Sequence, residues 1–73
     1  MARVKVELTI PSDLKDEPII YQMGRDYDVI PNIIEASFST SMGWAILDLE
    51  GDPAEINELL ESLKQKNITV KLL

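Results

Sequence analysis

Apolar and polar positions change period several times along this chain. The stretch RVKVELTI (3–10) alternates strictly, with Val4, Val6, Leu8 and Ile10 on one side and Arg3, Lys5, Glu7 and Thr9 on the other. That period of two predicts a half-buried strand, which Pro11 ends. After the polar connection PSDLKDE, the stretch EPIIYQMGRDY (17–27) changes to helical spacing: Ile19, Ile20, Met23 and Tyr27 make one apolar stripe. Pro18 suits the first helical position, with Asp16 or Glu17 near the cap. Gly24 weakens the helix interior by up to about 1 kcal/mol relative to alanine, and a close helix–sheet approach is one candidate reason for it.

A second strand is predicted over about 29–38, followed by a Ser39-Thr40-Ser41 turn and a third strand, GWAILDLE (43–50). Gly51 closes that strand. DPAE (52–55) then opens a helix, with Asp52 as N-cap, Pro53 at the first position and Glu55 completing a capping box. Ile56, Leu59, Leu60 and Leu63 form its apolar stripe, and Asn67 caps its end. ITVKLL (68–73) is a last alternating strand.

The order is β-α-β-β-α-β, with two helical crossovers and one short hairpin. Right-handed crossovers then give an α+β, ferredoxin-like fold: a four-stranded antiparallel sheet in the order 4-1-3-2, with both helices on one face. The second strand lies on an edge. That position makes Pro31 tolerable, since proline cannot donate to a ladder.

The helix-covered face is expected to take Val4, Val6, Leu8 and Ile10; Ile34, Ala36 and Phe38; Ala45, Leu47 and Leu49; and Ile68, Val70 and Leu72. The opposite face then carries Arg3, Lys5, Glu7, Ile33, Glu35, Ser37, Trp44, Ile46, Asp48, Thr69, Lys71 and Leu73. Ile33, Trp44 and Ile46 stand out there as an apolar patch holding the one tryptophan of the chain. Either a partner covers the patch, or it is ordinary cross-strand packing. Cover is the preferred reading because the chain is so short. A domain of 73 residues buries only about 60% of its unfolded surface and is marginal alone.

Composition narrows the chemistry. The whole chain, 1–73, reads as one domain, with 7 Lys and Arg against 13 Asp and Glu and a net charge of −6. Such a surface repels phosphate backbones, so nucleic acid is not an expected partner. No apolar run is long enough to insert in a membrane, and no secretory signal is visible, so a cytoplasmic location is expected. The sequon Asn67-Ile68-Thr69 is then a chance match.

Cysteine and histidine are both absent. Disulfides, thiol catalysis, iron–sulfur ligation and an ordinary zinc site are therefore excluded for this chain. No glycine-rich phosphate loop is present, and no nucleophile–base pair can be assembled from the usual residues. No catalytic residue, metal site or cofactor is expected. Asp26 with Asp28, and Asp48, Glu50 and Asp52, read as a helix cap and solvated carboxylates. The last three lack the spacing and glycine of a calcium loop.

Asn32 is the ambiguous residue. Its amide carries two donors and two acceptor lone pairs inside an apolar strand. On the residues alone, a local turn or bulge contact is preferred over a ligand contact. Met42, in or beside the hairpin turn, packs under the sheet edge or at a dimer seam.

Asn32-Ile33-Ile34, followed by Gly43 at the start of the third strand, resembles the NIL domain family, named for an Asn-Ile-Leu motif. EPIIYQMG on the first helix, GWAILDLEGD running into the second, Gly51 and the alternating C-terminal strand also match, so the resemblance spans nearly the whole chain. The third motif position is Ile where the family has Leu. NIL domains are known as C-terminal regulatory domains of methionine-import ABC transporter ATPases, where they dimerise and bind methionine at their interface. They are also known as N-terminal partners of ferredoxin-type modules linked to homocysteine and methionine formation. The stretches EPIIYQMGRDYDV and STSMGW are similar to the second group, although this chain looks like a free-standing NIL domain without a cluster or a nucleotide-binding domain.

The resemblance implies a methionine-associated role for Asn32, with Ile33 and Ile34 as the other motif residues. Two functions are weighed. One is a non-catalytic, homodimeric sensor of methionine or a related sulfur amino acid, with Asn32, Ile33, Ile34 and Met42 as ligand-binding residues. The other is an interaction module whose patch of Ile33, Trp44 and Ile46 docks an enzyme, ferredoxin or transporter partner. Dimerisation would use the unpaired edge of the second strand, unless Pro31 is there to block it.

Overall fold

The computed structural model describes residues 1–14, 17–39 and 41–73. Strand β1 (Ala2–Pro11) leads through a 3₁₀ turn at Ser12–Leu14 to helix α1 (Ile19–Asp26). Strands β2 (Val29–Phe38) and β3 (Met42–Gly51) form a hairpin. Helix α2 (Pro53–Gln65) and strand β4 (Thr69–Leu72) complete the chain. The four strands are antiparallel in the order β2-β3-β1-β4, which is the ferredoxin-like arrangement expected from the element order.

One face of the sheet packs on the helices. Val6, Leu8 and Ile10 of β1 and Ala45, Leu47 and Leu49 of β3 are buried against Ile19 and Met23 of α1 and Ile56, Leu59, Leu60 and Leu63 of α2. Val4, Ile20, Tyr27 and Val70 are partly buried around them. These central strands and both helices carry the apolar sets that their periodicity predicts. The edges do not seal: Leu72, opposite Val6 on the covered face, is exposed.

Helix ends differ in detail from expectation. Pro18 is the N-cap of α1, one position earlier than predicted, and has no capping side chain; Asp16 lies outside the described residues. Asp52 is the N-cap of α2 with Pro53 after it, but neither side of a capping box forms. Glu55 turns away instead, and its Oε1 accepts the Asp28 backbone N–H at 3.1 Å. The carboxylate thereby ties the first turn of α2 to the residue leading into β2.

At the other end of α2, Asn67 adopts a left-handed conformation with φ 66°. Its N–H reaches the Lys64 carbonyl and the Ile68 N–H reaches the Leu63 carbonyl, both at 3.1 Å. This is a Schellman turn with asparagine in the position usually held by glycine.

The largest departure from the alternation pattern is in β2. Asn32 pairs with Asp48 and Ile33 with Leu47, but the next rung pairs Glu35 with Ile46. Ile34 is the extra residue of a β-bulge. Directly opposed residues on antiparallel strands point to the same side of the sheet. Ile33 therefore shares the side of buried Leu47, not the open face on which it is expected with Trp44 and Ile46. The bulge inverts strand parity between Ile33 and Glu35. Ala36 and Phe38, opposite Ala45 and Gly43, do take the helix side, yet both are exposed. Ile34 leaves the expected inward set altogether.

Candidate functional site

Three surfaces remain for function: the free edge of β2, the open face of the sheet, and a cleft where the hairpin end meets the start of α1.

The edge of β2 carries the motif residues. Ile30, Ile33, Ile34 and Phe38 are between 47 and 59% exposed, a concentration of uncovered apolar side chains along one strand. An exposed apolar edge of ten residues is a template for another strand unless something covers or interrupts it. Pro31 and the bulge at Ile34 interrupt it. Asn32 points to the open face, opposite Asp48, and is exposed. Its amide makes no hydrogen bond among the described residues, so the local turn or bulge contact preferred on sequence grounds does not form.

On the open face, the rungs place Ser37, Trp44 and Thr9 in one row and Glu35, Ile46, Glu7 and Lys71 in the next. Trp44 and Ile46 are together, as expected, and only partly buried. Met42, opposite Pro11, joins them in place of Ile33, and with Glu7 and Thr9 they line a shallow depression. Further along, Arg3 Nη2 donates to Glu50 Oε2 at 2.9 Å across the β1–β3 pair. Both side chains are exposed, which makes this a weak tie.

The cleft is the best-formed concavity. Its volume is about 300 Å³, at the lower end for small-molecule sites. Ile10 and Leu14 form one wall, Ile20 and Tyr21 another, and Phe38 and Met42 close it from the hairpin. Gly43 makes this closure possible: a β-carbon there would collide with the Phe38 ring, so the bare backbone lets the ring lie across β3. The hairpin end is held by Ser39. Its Oγ donates to the Met42 carbonyl at 3.0 Å and accepts the Met42 and Ser41 N–H groups at 3.2 and 3.3 Å. Thr40, expected in this turn, lies outside the described residues.

The Arg25 guanidinium stands over the Tyr21 ring, 5.6 Å from its centroid. Arg25 Nε also donates to Asp26 Oδ1 at 2.7 Å. That hydrogen bond holds the Asp26 carboxyl below its ordinary range.

Within one chain, the four expected ligand residues are not brought together. Asn32 pairs with Asp48, and Met42 lies six residues back along β3 at the other end of the hairpin. At ~3.3 Å per residue, they are separated by about 20 Å. Ile33 faces the helix side and Ile34 occupies the bulge. The cleft side chains Leu14, Ile20 and Phe38 were assigned to core or connection by the sequence pattern, and no local motif marks them as a pocket. No group of three or more His, Cys, Asp or Glu side chains converges among the described residues. No helix among them is long and apolar enough to cross a membrane.

These features define a small α+β module with an apolar cleft and an uncovered edge. The NIL domain family model matches residues 4–72, and the chain belongs to that family. It is 35% identical over 71 residues to uncharacterized protein ssr2439 of Synechocystis sp., covering 94% of this chain and 73% of that one. Its fold is similar to the crystal structure of the C-terminal domain of an ABC transporter ATP-binding protein from Enterococcus faecalis. The TM-score is 0.81 at 20% identity, over 96% of this chain and 82% of that one.

Proposed function

We propose that this chain is a non-catalytic regulatory module that senses methionine or a related sulfur amino acid at a homodimer interface. Family membership supports a regulatory role, and a transporter-type partner is proposed by analogy with the similar C-terminal domain of a transporter ATP-binding protein. The observation that points to a second copy is the exposed apolar edge of β2, along which Ile30, Ile33, Ile34 and Phe38 are uncovered. If two β2 strands pair antiparallel about a two-fold axis near Glu35, residue 32 of one copy falls beside residue 38 of the other. Asn32 of one protomer then reaches the hairpin end of its partner, where Phe38 and Met42 lie, with its amide on the open-face side of the strand. The same pairing covers Ile33, Ile34 and Phe38. The amide supplies polar contacts to a zwitterion, and apolar side chains of the hairpin end, Met42 among them, accept an unbranched thioether.

Calorimetry with L-methionine, on the wild type and on Asn32→Ala, tests this together with sedimentation. The expected result is a dimer that binds L-methionine and loses at least tenfold in affinity on Asn32→Ala. A wild-type protein that gives no heat at millimolar methionine overturns it.

A second reading rests on Trp44, Ile46 and Met42 gathered on the open face. Here the module docks an enzyme or ferredoxin of sulfur metabolism. Trp44→Ala separates the two, because it abolishes partner capture under this reading and spares methionine binding under the first.

A further inference from the structure

The walls of the cleft are apolar, but its charge is not neutral. Glu17 is the one charged residue that lines it among the described residues. The backbone of Glu17 is fixed on both sides. Its N–H donates to the Leu14 carbonyl at 3.0 Å, and its own carbonyl accepts the Ile19 N–H at 2.8 Å. An exposed residue bearing a carboxylate thus stands at a fixed backbone position beside a cavity of side-chain size. A cationic group with an apolar tail is the complement of that pairing, because charge-assisted hydrogen bonds are the strong ones and the tail displaces water from apolar walls.

The structure assigns Glu17, we infer, as the group that binds the ligand's primary ammonium, with the ligand's short unbranched tail seated between Leu14, Ile20, Phe38 and Met42. This rests on the amino-acid reading above and goes beyond it: it moves recognition of the amine from Asn32 to Glu17. The ligand class is a primary amine carrying an aliphatic or thioether chain. The α-carboxylate adds affinity at the far end and is not what the cleft itself reads.

Three probes test this by titration followed through Trp44 fluorescence and calorimetry: L-methionine, 3-(methylthio)propylamine, which lacks the carboxylate, and 3-(methylthio)propionate, which lacks the amine. Glu17→Gln keeps the size of the side chain and removes its charge; Glu61→Gln, on the exposed face of α2, is the control. The expected result is that Glu17→Gln weakens methionine and the amine at least tenfold, leaves sedimentation unchanged, and narrows the preference for the amine over the propionate to less than threefold. Methionine binding that survives Glu17→Gln overturns the assignment and leaves the amino-acid reading standing. Binding of the amine but not methionine, lost in Glu17→Gln, upholds the assignment and overturns methionine as the ligand. A wild type that binds none of the three overturns both.

Discussion

Gly51 lies so close beneath Asp28 that a β-carbon on it would stand 2.5 Å from the Asp28 carbonyl oxygen and 3.2 Å from the Cα of Val29. The N–H of Asp28 is meanwhile held by Glu55. One residue, just ahead of β2, is therefore fixed by the end of β3 on one side and the start of α2 on the other. Because the obstacle at Gly51 is backbone, no side-chain rotation relieves it. Gly51→Ala is expected to cost about 1–3 kcal/mol, read as a lower urea midpoint.

Gly24 gives the opposite result. A β-carbon there meets the Pro31 ring at 3.6 Å, which is ordinary contact, and no glycine has a positive φ. No close approach requires glycine at this point. Gly24→Ala is expected to stabilise the protein by about 0.4–1 kcal/mol through helix propensity and a less flexible unfolded chain, seen as a higher Tm.

Removing the tie between α2 and β2 has a local signature. Glu55→Ala leaves the Asp28 N–H without its acceptor and is expected to cost about 0.5–1.5 kcal/mol. Hydrogen exchange at Asp28 should accelerate more than at the amides of central β1. Asp52→Ala, whose side chain makes no cap bond, is expected to change stability by much less than the ~1 kcal/mol of a working N-cap.

The Schellman turn makes Asn67 sensitive to side-chain shape. With φ at 66°, a β-branched replacement is strained, and Asn67→Val is expected to lose about 1–2 kcal/mol. Asn67→Gly is expected to hold or raise stability. Thermal melts of the two variants should fall on opposite sides of the wild type, or Asn67→Gly should coincide with it.

Gln22 carries an orphan acceptor. Its Oε1 is buried without a partner among the described residues, beside the small crevice between α1 and α2, near Ser62 and Lys66. Gln22→Met keeps the length of the side chain and removes the unmet acceptor. A gain of about 1 kcal/mol is expected from the urea midpoint.

The architecture was legible because β1, β3 and both helices each show one clear period, and the two crossovers have helical length. β2 was not, because it is apolar on both phases. Val29 and Ile33 lie on one phase, Ile30, Ile34 and Phe38 on the other, so alternation cannot reveal a one-residue bulge that moves the strand from the first phase to the second. Glu55 was misplaced for a related reason. Its spacing from Asp52 fits a local capping box, while its real partner, Asp28, lies 27 residues away in sequence. The cleft was invisible because its walls come from β1, α1 and the hairpin, and each side chain looks like core within its own segment. Trp44 and Ile46 were read correctly as a pair because β3 has no irregularity. Asn32 was singled out by its polarity in an apolar strand, but its distance from Met42 is a property of the whole sheet.

The bulge at Ile34 also bears on behaviour in a crowded solution. A flat, ten-residue apolar edge would be a growth surface for cross-β stacking, with each added chain presenting the same edge to the next. An extra residue in mid-strand, three positions after a proline, gives the edge a kink and a gap that a straight strand cannot follow. The irregularity that hides β2 from pattern reading thus disfavours open-ended addition of straight strands, while a second copy with the same kink can still pair with it.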